Sequence, residues 1–86
     1  MLKPKIASGF RFQWEPVQQN FVLLYPEGMV KLNQTAGEIL SVCDGVKTIS
    51  EIVKILEEKF STPGLAPQIE DFLKFAVTKG WVCEGV

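Results

Sequence analysis

Phe21-Val22-Leu23-Leu24-Tyr25-Pro26-Glu27-Gly28-Met29-Val30-Lys31-Leu32 is the stretch that decides the fold. Its first five residues are continuously apolar, as in a central strand buried on both faces or one that meets a partner. Pro26 presets a corner and Gly28 offers the left-handed conformation, so Pro26-Glu27-Gly28 is predicted to close a three-residue hairpin. Met29-Val30-Lys31-Leu32 is the returning strand. Upstream, Phe10, Phe12 and Trp14 alternate with Arg11, Gln13 and Glu15, the period-2 pattern of a strand with one buried face, and Pro16 ends it or marks it as an edge. Three consecutive strands joined by short turns form a meander. Its last strand, Met29 to Leu32, lies at an edge unless something covers it. Residues 1–9 read as a flexible N-terminal arm, and residues 10–86 as a single domain.

Past Leu32 the period changes from 2 to 3.6. Thr35 and Glu38 have the spacing of a capping box ahead of Ile39, Leu40 and Cys43, and Asp44-Gly45 stops that helix. Thr48 and Glu51 repeat the device before a longer helix with Ile49, Ile52, Val53, Leu56 and Phe60 along one face. Pro63-Gly64 breaks the chain. Pro67 suits the first turn of a third helix that runs to about Lys79, with Gly80 as its stop. Trp81-Val82-Cys83 then forms a short closing strand or packs back on the core. Strands first and helices after imply an α+β fold, winged-helix-like, with an N-terminal three-stranded antiparallel sheet followed by a three-helix bundle.

Composition narrows the function. The chain has 86 residues, 47% hydrophobic and 22% charged, which fits a globular domain rather than a disordered or membrane-embedded one. No apolar run approaches the roughly 20 residues of a membrane span, and the start lacks the apolar block of a secretory signal, so a cytoplasmic location is expected. Histidine is absent, and Cys43 and Cys83 belong to no C-x-x-C pair, so no metal, cofactor or thiol chemistry is expected. Both cysteines read as structural, although a disulfide between them stays open.

Catalysis finds no constellation either. Glu57 with Glu58, and Glu70 with Asp71, are sequence neighbours that point in different directions on a helix, and no serine has a histidine to activate it. The expected protein is not an enzyme. A hairpin with three helices also resembles a winged helix-turn-helix DNA-binding module. Against that, the net charge is −1, the third helix carries a balanced Glu70, Asp71, Lys74 and Lys79, and the single arginine, Arg11, lies in the first strand.

A binding surface remains. At about 100° per residue, Leu65, Ile69, Leu73 and Ala76 form the core stripe of the third helix, and Phe75 falls about 100° from its centre. Phe72 lies between, flanked by Gln68, Phe75 and Lys79. A lone aromatic there ordinarily covers a gap in the core. An exposed strand beside such a margin gives it a second use, because a peptide can pair its backbone with the strand and rest its side chains on the helix.

The series Leu23-Leu24-Tyr25-Pro26-Glu27-Gly28, Leu32-Asn33, Ala36, Glu38-Ile39-Leu40, Cys43-Asp44-Gly45, Thr48-Ile49 and Glu51-Ile52-Val53, with Phe72-Leu73 and Gly80-Trp81 near the end, resembles the PqqD family. The likeness runs from about Arg11 to Val82. It implies a RiPP recognition element that binds the ribosomal precursor peptide PqqA and presents it to PqqE, a radical S-adenosylmethionine enzyme of pyrroloquinoline quinone (PQQ) biosynthesis. It further implies that the peptide adds to the third strand and lies along the third helix. Met29, Val30, Lys31 and Leu32 would then supply the pairing edge, and Ile69, Phe72, Phe75, Ala76 and Lys79 the groove wall. Gln68 departs from the family, whose members often carry an acidic residue there. A monomer is expected, with strand-mediated homodimerisation as the competing use of the open edge.

Overall fold

A computed structural model describes residues 3–85; Met1, Leu2 and Val86, the outer ends of the expected arm and domain, lie outside the described residues. The chain runs β1 (Pro4–Ile6), β2 (Arg11–Glu15), β3 (Asn20–Tyr25), β4 (Gly28–Lys31), α1 (Gln34–Ser41), α2 (Ile49–Phe60), α3 (Ala66–Thr78) and β5 (Val82–Glu84). The expected meander is present as an antiparallel sheet in the order β2-β3-β4, so the third strand of the sequence reading is β4.

Its register places Phe12 opposite Leu23 and Leu23 opposite Val30, so these three side chains share one face. Leu23 belongs to a buried cluster with Leu32, Ile39, Leu40, Ile52, Leu56, Ile69 and Leu73, and Phe12 and Val30 pack against it. Each fully buried aliphatic side chain of this kind contributes about 1.5–3 kcal/mol. Helix α1 sits close on β3: a Cβ added at Gly37 would lie 2.6 Å from Phe21 Cδ2, which is why the helix carries a glycine there.

Three local expectations are corrected. The hairpin has a two-residue turn, Pro26-Glu27, because Tyr25 already pairs with Gly28, and Gly28 is not among the glycines with positive φ. The cap of α1 is Asn33, whose Oδ1 accepts from the Ala36 amide at 2.7 Å. Thr35 therefore lies inside the first turn, and the Glu38 carboxylate meets Lys59 Nζ at 2.5 Å instead of the backbone. Residues 4–6 of the arm expected to be flexible form β1. They pair with β5 in the register Pro4↔Glu84, Lys5↔Cys83 and Ile6↔Val82, and Pro4 is buried. The Ala7 amide extends the connection by donating to the Trp81 carbonyl at 2.8 Å.

Other expectations stand. Thr48 and Glu51 form the reciprocal capping box, Thr48 N–H to Glu51 Oε1 at 2.8 Å and Glu51 N–H to Thr48 Oγ1 at 3.2 Å. These bonds from Thr48 hold the Glu51 carboxyl below its ordinary pKa. Helix α1, by contrast, ends at Ser41 with Val42 as its cap, ahead of the expected stop at Asp44-Gly45; Gly45 (φ 81°) turns the connection that follows and donates to the Pro4 carbonyl at 2.9 Å, which ties that turn to β1. Beside it, the Asp44 carboxylate accepts from Lys47 Nζ and from the Lys47 and Val46 amides, which hold its pKa well below the usual range. Cys43 and Cys83 are both free thiols.

Helix α3 has no side-chain cap of its own at Leu65. The Leu65 amide instead donates to Glu57 Oε2 of α2 at 2.9 Å. Glu57, set aside as one half of a carboxylate pair too divergent for catalysis, thus fixes the start of the third helix.

Candidate functional site

Strand β4 is an edge of its sheet, and its register determines what that edge offers. The Leu32 amide donates to the Phe21 carbonyl at 3.0 Å. Hydrogen-bonded and non-bonded pairs alternate in an antiparallel ladder, so the Leu23–Val30 and Tyr25–Gly28 pairs are the bonded ones. Lys31, opposite Val22, and Met29, opposite Leu24, are the non-bonded pairs. Their N–H and C=O groups point away from β3, toward the side where a further strand would lie. Two residues thus present two donors and two acceptors at the spacing an added strand requires.

The nine residues expected at the site divide by burial. Met29 (40% exposed) and Lys31 are open, and Val30 turns its side chain inward toward the core. Leu32, Ile69 and Ala76 are buried and can act only as the floor beneath a surface. Phe72 is half-buried against the same cluster that receives Val30. Phe75 is 48% exposed, more than a ring that merely fills a core gap. Its edge-to-face partner is Trp81 at 5.5 Å between centroids, and Lys79 Nζ stands 5.6 Å from its ring centre. Phe75 and Lys79 are therefore one unit on the surface of α3, an aromatic ring with a cation on its face.

A cavity of about 280 Å³ opens where three helices converge. Gln34, Thr35 and Ile39 of α1, Leu56 and Phe60 of α2, and Gln68 and Ile69 at the start of α3 line it, with Thr62 and Leu65 of the connection between α2 and α3. Sequence reading missed this cavity. Thr35 was assigned to a cap, and Phe60, which also lines it, was counted on the core face of α2 although it is 42% exposed.

Among the described residues, no group of three or more His, Cys, Asp or Glu side chains could hold a metal ion. Burial, aided by the neighbouring Asp44 charge, pushes the Cys43 thiol up to about 12. No helix among the described residues is long and apolar enough to cross a membrane.

Comparison with known proteins bears on this geometry. The family model described as Coenzyme PQQ synthesis protein D (PqqD) matches residues 20–82. A protein of Methylococcus capsulatus named PqqA binding protein is 46% identical over 80 residues, covering 93% of this chain and 86% of its own. One of the same name from Pseudomonas paraeruginosa is 50% identical over 80 residues, covering 92% and 87%. Among solved structures, the solution NMR structure of the PqqD truncation of Methylobacterium extorquens PqqCD superimposes with a TM-score of 0.73 at 27% identity, covering 94% of this chain and 88% of that one. It is described as a functional, stand-alone RiPP recognition element. With a family match over most of its length, close relatives along nearly all of it and the same α+β architecture, this chain belongs to the PqqD family.

Proposed function

We propose that this chain is a peptide-binding protein of PQQ biosynthesis, without catalytic activity of its own, that captures a PqqA-type precursor peptide in the cytoplasm and presents it to the radical enzyme PqqE. The peptide adds as a fourth strand to β4, bonded to the outward N–H and C=O groups of Met29 and Lys31, with its side chains along Phe72, Phe75 and Lys79. The observation that carries this reading is the pair of unsatisfied backbone positions on β4, in a chain whose relatives are named for binding PqqA. Main-chain hydrogen bonds supply affinity, and the surfaces on either side supply selectivity. Val30 and Leu32 contribute indirectly by anchoring the edge through their inward side chains.

Titration of isotope-labelled protein with synthetic precursor peptide tests the site. The amides of residues 29–32 and 68–79 are expected to shift together. Shifts confined to other elements would sink it. Copurification with both peptide and PqqE tests the presentation step, and failure of the enzyme to associate in the presence of peptide would remove that part alone.

One observation supports a second use of the sheet. Because Phe21 and Leu23 are bonded to the β4 side, Asn20, Val22 and Leu24 bond β2, and the amides of Phe12 and Trp14 point outward from the opposite edge. Two copies pairing through β2 would leave both β4 edges available to peptide. Light scattering across a concentration series decides this, and a constant monomer mass excludes it.

A further inference from the structure

The second edge of the sheet is β2, and its sequence, Arg11-Phe12-Gln13-Trp14-Glu15, sets aromatic rings and then opposite charges symmetrically about Gln13. Only the Phe12 and Trp14 backbone groups face outward, because Arg11, Gln13 and Glu15 bond β3. The row of donors ends there in both directions. Pro16, the next outward position, has no N–H, and the Phe10 amide already donates to the Ala7 carbonyl at 3.2 Å.

A two-fold axis through Gln13 matches this edge with itself. When two copies of β2 lie antiparallel in that register, Phe12 meets Trp14 of the second copy and Trp14 meets its Phe12. Both outward amides and both outward carbonyls of each chain are then used. Shifting the strands by two residues in either direction leaves one bonded pair. The centred register also sets Arg11 opposite Glu15 on each side of the axis, with Cβ atoms about 4.5–5.5 Å apart. Within one chain these two residues are four positions apart on a strand, about 13 Å, and among the described residues neither has an ion-pair partner.

The helix-bearing face agrees. Phe12 stacks on Phe21 at 4.7 Å between centroids and Trp14 stands edge-on to Phe21 at 5.0 Å, yet Trp14 is 49% exposed. Aromatic pairs across the axis would cover it and extend the same row. Helix α1 lies on β3, so its two copies would stand three strand spacings apart, about 14 Å, wider than the roughly 8–10 Å at which helices touch. Strand β4 lacks this complementarity. Two copies paired through Met29 and Lys31 would bring their lysines to diagonal positions about 7–8 Å apart, with no carboxylate in the strand to offset them.

We propose that a second copy of this chain docks on β2 in the register Phe12 to Trp14, with Arg11 and Glu15 as its specificity pair. The inference rests on the second use of the sheet given above, and adds the register and the residues that enforce it. The joined sheet runs β4-β3-β2-β2-β3-β4, so both peptide-pairing edges stay outermost and one dimer holds two peptides. The interface is small, and the association is correspondingly weak and sensitive to salt.

Sedimentation equilibrium at low salt from about 10 μM to 1 mM, with amide spectra over the same range, tests it. The parent is expected to dimerise, with the Phe12 and Trp14 amides shifting as concentration rises. Arg11→Glu and Glu15→Arg each turn two attractive pairs into two repulsive ones and should raise the dimer Kd about tenfold or more. An equimolar mixture of the two variants, and the double variant Arg11→Glu/Glu15→Arg, restore opposite charges at every position and should recover the dimer. A parent-like dimer in either single variant, or a mixture that stays monomeric, would overturn the register; pairing through β2 survives that result if the Phe12 and Trp14 amides still shift. A monomer at every concentration, or a dimer whose shifts fall on Met29 and Lys31, would overturn both.

Discussion

Replacing Lys31 by proline removes one outward-pointing amide from β4 and leaves the ladder to β3 intact. Lys31 stands in a non-bonded pair with Val22, so its N–H takes no part in the sheet. Its side chain is exposed, and proline is tolerated on an edge strand when the missing donor faces away from its neighbour. The folded protein should therefore lose little stability. Bound peptide loses more: one main-chain bond goes unmade and the facing peptide carbonyl is left without a donor, together worth about 1–3 kcal/mol, or roughly a five- to hundredfold rise in Kd.

Two companions isolate the cause. Lys31→Ala keeps the amide and should bind within about twofold of the parent if the side chain lies in the exposed rim. Val30→Pro removes the donor that bonds the Leu23 carbonyl and should cost about 1–3 kcal/mol of stability. Calorimetric titration with precursor peptide and urea denaturation read the two quantities separately. A folded Lys31→Pro with unchanged affinity, or a Val30→Pro as stable as the parent, would refute the register argument.

Glu57→Ala strands the Leu65 amide and should destabilise the fold by about 1–3 kcal/mol, as read by a lower urea midpoint; an unchanged midpoint would deny the cross-helix cap. Gly37→Ala raises helix propensity by about 1 kcal/mol but drives a methyl into Phe21, so the net outcome is destabilisation by about 1–2 kcal/mol, with thermal denaturation as the check. The Cys43 thiol keeps its proton to about 12 in the fold, against an ordinary value of 9.0. Between those values the native state holds a proton that the unfolded chain has lost, so stability falls as pH rises above about 9. Cys43→Ala should flatten the decline of the urea midpoint between pH 8 and pH 10.5, and a parent-like slope in that variant would assign it elsewhere.

Elements whose signals lie within a few residues were legible. The apolar run from Phe21 to Tyr25 and the Thr48/Glu51 box act locally and form as read, whereas the strand read from Phe10 to Trp14 forms at Arg11–Glu15 with Trp14, expected on its buried face, 49% exposed. Asn33 was legible too, as a good capping residue, but Thr35 and Glu38 offered a competing pattern two positions later. That competition went to the residue whose oxygen could reach the Ala36 amide. What stayed hidden depends on distant partners. A three-residue strand such as β1 has no period to detect, because its stability comes from residues 82–84. The role of Glu57 depends on a loop folding back eight positions later. For the candidate site, an edge near residues 29–32 was visible in the topology. Which amides face outward was not, because that is set by the Phe21–Leu32 bond.

The pairing of β1 with β5 bears on how the chain responds to pulling. Lys3 and Gly85 lie side by side, joined by the bond from the Gly85 amide to the Lys3 carbonyl at 2.6 Å. Tension applied at these two points loads that bond first, then Pro4 against Glu84, then Lys5 against Cys83, one rung at a time. Such a zipper geometry gives way at low force, since the rungs never share the load. The small terminal sheet would peel apart before tension reached β2, β3 and β4. A molecule tethered through its ends would thus keep its peptide-pairing edge while the terminal ribbon served as an extensible leash.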